Sequence, residues 1–144
     1  MSPTAPVLVS GTQSCETVDE GTTDYGVGGT ETTRGMEAAC VFTMSDPRAS
    51  GSFTFTGAFD CYFNAGTQGW SCVGWTDGVL TGPDGTWEGG SIGVENAYVG
   101  FFTGTGAYEG LTFAALSSGL DDTIEGVIYE GPPPPWALPA AMSE

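Results

Sequence analysis

The chain has 144 residues, of which 24 are glycine, 18 are acidic and only two are basic, and it has no histidine. Glycine at more than twice its usual share of about 7% disfavours a helical bundle, because glycine weakens helix interiors. With a formal net charge of −16, the chain cannot neutralise the phosphates of a nucleic acid or the charge of an anionic membrane. We therefore expect neither nucleic acid nor a membrane surface as a partner. Without histidine the commonest general base and most zinc sites are excluded, and we expect no metal and no cofactor.

A folded domain is expected despite the charge. Hydrophobic residues make up 40% of the chain and aromatic residues 12%, which is enough apolar surface to offset chain entropy. The length corresponds to one domain, which we place at residues 1–131. Residues 132–144 are predicted to form an extended tail, because the prolines that begin it have no backbone N–H to donate to a sheet.

Short alternating runs separated by glycine-centred turns recur about every ten residues, which is typical of an antiparallel sandwich or barrel. Between the first two runs, residues 16–35 are polar and rich in glycine, threonine and acid, and are predicted to be a long loop. Several runs are apolar on both faces, which in a closed barrel indicates a lined interior and an outer surface that packs on loops or on another copy, so a homo-oligomer is expected. The eight predicted strands are residues 6–15, 36–45, 50–61, 70–80, 86–94, 97–103, 111–117 and 123–130.

The four cysteines contain no Cys-x-x-Cys pair, which argues against a metal or thioredoxin-type site. Their spacing predicts two local disulfides, Cys15–Cys40 and Cys61–Cys72, the second across a hairpin. The other connectivities and four separate buried thiols stay open as alternatives. Disulfides imply an oxidising compartment, and we expect a secreted chain. Residues 1–11 lack the basic and apolar regions of an export signal, so a cytoplasmic location also stays open.

The second half of the chain contains a motif that resembles a known family. Residues 98–110 (YVGFFTGTGAYEG) resemble the signature of allene oxide cyclase and dirigent proteins, in which a strand ends in Thr-Gly-Gly or Thr-Gly, followed by a small residue, an aromatic, an acid and glycine. Residues 85–89 (GTWEG) and the final strand before Gly-Pro-Pro fit the same order of elements. The resemblance covers about residues 86–135, and no catalytic residue is carried over because the first half does not align.

This resemblance implies an eight-stranded antiparallel β-barrel with an apolar lumen. The family uses its lumen to fold a flexible substrate or to steer a reactive intermediate without a cofactor. Bacterial barrels of this kind include spirotetronate cyclases, which promote Diels–Alder chemistry. Tyr108, within the motif, is predicted to pack over one end of the barrel.

Two functions are therefore expected. The first is a cofactor-free cyclase or isomerase that binds an apolar small molecule in the lumen and holds it in the conformer that closes a ring. The alternative is a secreted, non-catalytic barrel, stabilised by disulfides, that binds a ligand or serves an interface. A cavity of roughly several hundred Å3 with a carboxyl or tyrosine would favour the enzyme, and a lumen filled by Phe101, Phe102 and Phe113 would exclude it.

The candidate site residues are carboxyl, phenol and large apolar side chains on the later strands. Glu88, Tyr98 and Glu125 are the catalytic candidates, because a carboxyl inside an apolar lumen has a raised pKa suited to acid–base work. Solvated carboxylates and aromatic core or rim packing are the alternative interpretations. Arg48 is predicted to pair with Asp46. The candidates for ligand contact are Trp75, Trp87, Tyr98, Phe102, Phe113 and Tyr129.

Overall fold

The computed structural model describes residues 5–26 and 28–135. These residues form nine strands of one antiparallel sheet. Two short 3-10 helices, Pro47–Ala49 and Gly106–Tyr108, lie between strands. The described segments contain no helix long and apolar enough to cross a membrane. The strands are β1 (Val7–Asp19), β2 (Thr22–Tyr25), β3 (Thr30–Met44), β4 (Gly51–Asn64), β5 (Gly69–Thr81), β6 (Thr86–Val94), β7 (Ala97–Gly104), β8 (Leu111–Ser118) and β9 (Thr123–Glu130).

Eight of the strands close into a ring. From β3 to β9 each strand pairs with the next along the chain, and β9 pairs with β1. The ring closes because β1 also pairs with β3, while β2 lies only at the edge of β3. The all-β antiparallel class predicted from the sequence is confirmed. Of the predicted tail, residues 136–144 lie outside the described residues.

The long loop predicted at residues 16–35 is wrong. Both β1 and β3 run into this segment, and β2 lies wholly within it, paired with the start of β3. The segment is polar on both faces because it extends past the ring, where both faces of the sheet meet water. Its threonines favour extended backbone through their branched Cβ. Polarity alone therefore did not distinguish a two-sided exposed ribbon from a loop.

Large apolar side chains fill one end of the ring, which we call the closed end. Trp87 is 0% exposed there and its ring stacks on Tyr108, with centroids 5.0 Å apart. Its indole Nε1–H donates to the backbone oxygen of Arg48 at 2.8 Å. Tyr108, the last residue of its short helix, is itself buried at these strand ends, as predicted. Leu80 and Ile128 are also buried in this core.

Glycine gives the interior aromatic rings their space. A Cβ added at Gly126 would lie 2.8 Å from the Phe113 ring, and one added at Gly93 would lie 2.6 Å from the Tyr98 ring. Both distances are well below the roughly 3.5–4.0 Å at which carbon atoms pack. Part of the glycine surplus therefore serves side-chain packing inside the ring rather than turns.

Both predicted disulfides are present, Cys15–Cys40 and Cys61–Cys72. Each joins residues that lie directly opposite one another on paired strands. The first crosslinks β1 to β3, the pairing that closes the ring, and the second crosslinks the β4–β5 hairpin. Two such bonds indicate an oxidising environment for the folded chain.

The predicted pairing of Arg48 with Asp46 is confirmed. Arg48 donates to both carboxylate oxygens of Asp46, with Nη2 2.7 Å from Oδ2. This hydrogen bonding holds the pKa of Asp46 below its usual value. The ion pair lies beside the closed end, where the backbone of Arg48 accepts the Trp87 hydrogen bond.

Candidate ligand-binding site

A cavity of about 180 Å3 lies inside the ring at the end away from Trp87. Inward-facing residues from all eight ring strands line it, because successive residues of a strand point to opposite faces. Two lining residues, Cys15 and Gly119, are exposed, so the cavity opens to solvent at this end, which we call the mouth. The aromatic residues of the lining are Phe42, Phe53, Phe55, Phe59, Tyr98 and Phe102.

Phe53 is the centre of the aromatic lining. Its ring lies 5.2 Å from that of Phe42, 5.3 Å from that of Phe55 and 5.7 Å from that of Phe102. Phe102 in turn packs on Phe113, which lies edge-on to Trp87 at the closed end. The floor of the cavity is thus part of one continuous aromatic cluster, which restricts its side chains to fixed orientations.

A few polar groups interrupt this apolar wall. Thr76 and Ser91 face each other across β5 and β6 and share a hydrogen bond of 2.5 Å between their hydroxyl oxygens. Gln13 and Ser117 line the wall nearer the mouth. Among the described lining residues none is a carboxylate, so the cavity offers hydroxyl and amide groups for a ligand oxygen or nitrogen.

Tyr98 is the titratable residue of the cavity. Its ring lies against Gly93, and a Cβ added at Gly74 would meet its hydroxyl oxygen at 2.5 Å. Burial raises the pKa of Tyr98 above its ordinary value. The phenol is therefore neutral at pH 7 and makes no hydrogen bond to the described residues, so it can donate one to a ligand.

The burial of Tyr98 predicts a pH dependence of stability. The Tyr98 phenol of the unfolded chain loses its proton near pH 10.0, whereas that of the folded chain keeps its proton to a higher pH. The free energy of unfolding is therefore unaffected by this group below pH 10.0, and it falls as the pH rises through the pKa of the folded state. We expect Tyr98→Phe to show a smaller drop in the free energy of unfolding between about pH 8 and about pH 11. Urea unfolding at both pH values measures the difference. Tyr62→Phe, at an exposed position, is the control, and an equal reduction there would contradict the assignment.

Of the six candidates for ligand contact, Tyr98 and Phe102 line the cavity. Phe113 and Trp87 are completely buried below the cavity floor and do not line it. Trp75 lies on the outer surface, where the guanidinium of Arg34 sits 4.9 Å from its ring centroid.

Three other candidates face outward. The Tyr129 hydroxyl donates to the backbone oxygen of Pro132 at 3.5 Å, outside the ring. Glu88 and Glu125 are exposed because each follows an inward-facing residue, Trp87 or Ile124. Among the catalytic candidates, only Tyr98 therefore reaches the cavity.

Sequence reasoning missed the four phenylalanines of β3 and β4 that form most of the aromatic wall. The candidate site residues lie on β5 to β9, whereas these phenylalanines precede the segment that resembles a known family. A signal was available in the run SFTFTGAF, where alternating phenylalanines share one face of a strand. Phe101, in contrast, points away from the cavity, since its neighbours Gly100 and Phe102 line it.

The role of the cavity cannot be read from a metal site or from a similar protein. The described residues contain no group of three or more His, Cys, Asp or Glu that could hold a metal ion. Comparison of the chain with protein-family models, curated proteins and solved structures finds no match. The function is therefore inferred from the geometry of the cavity.

Proposed function

We propose that the ring of strands is an eight-stranded β-barrel whose lumen binds a small apolar molecule. The observation that carries this proposal is the aromatic cavity of about 180 Å3, which opens at one end of the ring, while buried Trp87 and Phe113 fill the other end. Protein interiors leave few voids larger than a water molecule. An apolar cavity of roughly 150 Å3 is large enough to bind benzene.

The size of the cavity limits what it can enclose. At about 180 Å3 it is smaller than the roughly 300–1,000 Å3 of sites for drug-sized ligands. A single ring or a short aliphatic chain fits this space. The hydroxyls of Thr76, Ser91 and Tyr98 supply hydrogen-bond partners for one polar atom of such a ligand.

Binding without catalysis is the function that the geometry supports best, because the described lining has no carboxylate to move a proton. A cofactor-free cyclase or isomerase of the allene oxide cyclase type is the second candidate. It is favoured by Tyr98, whose neutral phenol can donate a hydrogen bond to a carbonyl or epoxide oxygen as charge develops on it. The family resemblance of residues 86–135 supports this candidate through the sequence motif only.

A phenyl group added inside the lumen should weaken the binding of a short alcohol. We expect 1-hexanol to bind the wild-type protein with a dissociation constant on the order of 0.1–1 mM, since each buried methylene contributes about 0.8 kcal/mol. Ala115→Phe fills the cavity and should weaken binding at least about tenfold. Titration calorimetry measures both affinities.

The matched control is Ala114→Phe, which adds the same group on the outer face of β8, opposite Phe101 and Val127. We expect this variant to bind 1-hexanol as the wild type does. Urea unfolding of both variants checks that they fold. Equal affinities of the two variants, or no binding to the wild type, would contradict a ligand site in the lumen.

The expected homo-oligomer and secreted location stay predictions. Ile92, Val99 and Leu116 lie side by side on the outer surface of β6, β7 and β8 and are exposed. We propose that copies of the chain associate through this apolar row. The two disulfides support a secreted location.

A further inference from the structure

Part of the sheet continues past the mouth on one side. β1 pairs with β3 only as far as Glu37, and β6 pairs with β5 only as far as Val73. Beyond these points β2, β3, β4 and β5 remain paired with one another. We call this four-stranded part the extension; it comprises β2 and residues 30–35, 59–64 and 69–72.

One face of the extension is continuous with the wall of the cavity. Phe59 lines the cavity, and Cys61 and Phe63 follow it on the same face of β4. Their partners on β5 are Cys72 and Trp70. The rings of Phe63 and Trp70 lie edge to face, with centroids 5.8 Å apart. An apolar path therefore leads from the mouth over the Cys61–Cys72 disulfide to an aromatic pair.

This aromatic pair is open to solvent. Phe63 is 50% exposed and Trp70 is 47% exposed. Tyr25 pairs with Glu31, which pairs with Cys61, so its side chain lies on the same face of the sheet. Tyr25 is 77% exposed. The four-residue step along β4 from Phe59 to Phe63 spans about 13 Å. Exposed aromatic residues that continue a cavity wall over this distance mark a second part of a binding site.

We infer that the ligand is elongated and uncharged or cationic, with one end in the cavity and the rest lying along the Phe63–Trp70 pair. This inference rests on the proposed function, because the cavity must hold the first part of the ligand. The aromatic pair gives the remainder a surface on which to bury apolar area outside the ring.

The charges around the mouth exclude an anionic ligand. The chain has two basic side chains, and both are paired with carboxylates away from the binding face. Arg34 lies in the extension, but its guanidinium lies over Trp75 on the opposite, outer face. Arg34 pairs with Asp60 at 2.8 Å, and Arg48 pairs with Asp46 at the closed end. Glu31 lies on the binding face itself.

Carboxylates also occupy the turns at the mouth. Glu95 lies in the β6–β7 turn, and Asp121 and Asp122 lie in the β8–β9 turn, whose backbone pairs with Gln13 of the cavity wall. A carboxylate head group would meet only like charge here, whereas an alcohol or an ammonium group would not.

A series of straight-chain alcohols from 1-hexanol to 1-decanol tests the length of the site. We expect affinity for the wild-type protein to rise about three- to fourfold per added methylene up to 1-decanol. In the double variant Phe63→Ser/Trp70→Ser the rise should stop once the cavity is full. The variant should then bind 1-decanol at least about tenfold more weakly than the wild type, and 1-hexanol equally well.

Tyr62→Ser is the matched control, because Tyr62 is 47% exposed on the same strand but on the opposite face. It should keep the wild-type dependence on chain length. If 1-hexanol binds and affinity does not rise toward 1-decanol, or if Tyr62→Ser weakens binding as much as the double variant, the extended site is overturned while the lumen site stands. If no alcohol of any length binds, the proposed function itself is overturned.

Three ligands with the same ten-carbon chain and different head groups test which ligand charge the site accepts. Near pH 7 decylamine should bind at least as tightly as 1-decanol, and decanoate should bind at least about tenfold more weakly. Equal affinities for decanoate and 1-decanol would overturn the exclusion of anions. The full chain with both disulfides intact is used throughout.

Discussion

Replacing Trp87 with alanine is expected to lower the free energy of unfolding by about 5 kcal/mol. Truncation of a fully buried tryptophan costs about 3–5 kcal/mol through lost burial and the cavity left behind. The backbone oxygen of Arg48 also loses the indole N–H that donates to it at 2.8 Å, which adds about 1–3 kcal/mol if no water replaces it. Urea unfolding followed by far-ultraviolet circular dichroism measures the change.

Two further variants separate the sources of this loss. Trp87→Phe keeps a large ring stacked near Tyr108 and removes the hydrogen bond, so it should cost about 1–3 kcal/mol. Trp75→Ala removes the same side chain from the outer surface, where it packs under Arg34, and should cost no more than about 1–2 kcal/mol. A loss at Trp87 no larger than that at Trp75 would contradict the packing of the closed end.

Removing the Cys15–Cys40 disulfide is the second large effect that we expect. The bond spans 25 residues, and constraining a loop of this length in the unfolded chain corresponds to about 3.5 kcal/mol. It also crosslinks β1 to β3, the contact that closes the ring. The free energy of unfolding of the double variant Cys15→Ala/Cys40→Ala, measured by urea unfolding, should therefore be lower by about 3.5 kcal/mol.

The second disulfide provides an internal comparison. Cys61–Cys72 spans 11 residues within one hairpin, and the same relation gives about 2.8 kcal/mol for it. Its strands stay paired along the whole of β4 and β5 without the bond. Cys61→Ala/Cys72→Ala should thus be the milder variant. A larger loss there than for the Cys15–Cys40 pair would contradict the ring-closing role of the first bond.

Local signals in the sequence were sufficient for the strands of the second half. The four predicted segments from residue 86 to residue 130 agree with β6 to β9 to within one residue at each end. Turn chemistry explains this agreement, since the β6–β7 turn places Glu95 at a φ of 58° and short turns leave little freedom in where strands end. The spacing of the cysteines also predicted both disulfides, and in the structure each joins strands that neighbour one another in the ring.

The side of each strand that faces inward was not predictable for the strands that are apolar on both faces. Trp75 and Trp87 have similar surroundings in the sequence, yet one lies outside the ring and the other in its core. Phe101 and Phe102 are adjacent, and only Phe102 lines the cavity. Alternation shows that neighbours point to opposite faces, but the identity of the inner face depends on contacts across the whole ring.

The sequence by itself determined the all-β class and the positions of most strands, because these depend on alternation and turns within a few residues, and the spacing of the cysteines predicted their pairing without excluding the other connectivities. It also determined that any site must work without histidine and at a strongly negative charge. Only the tertiary structure decided the closure of β1 on β3, the aromatic cavity and the exposed Phe63–Trp70 pair beside its mouth. These features depend on strand register between distant segments, which no local pattern in the chain encodes.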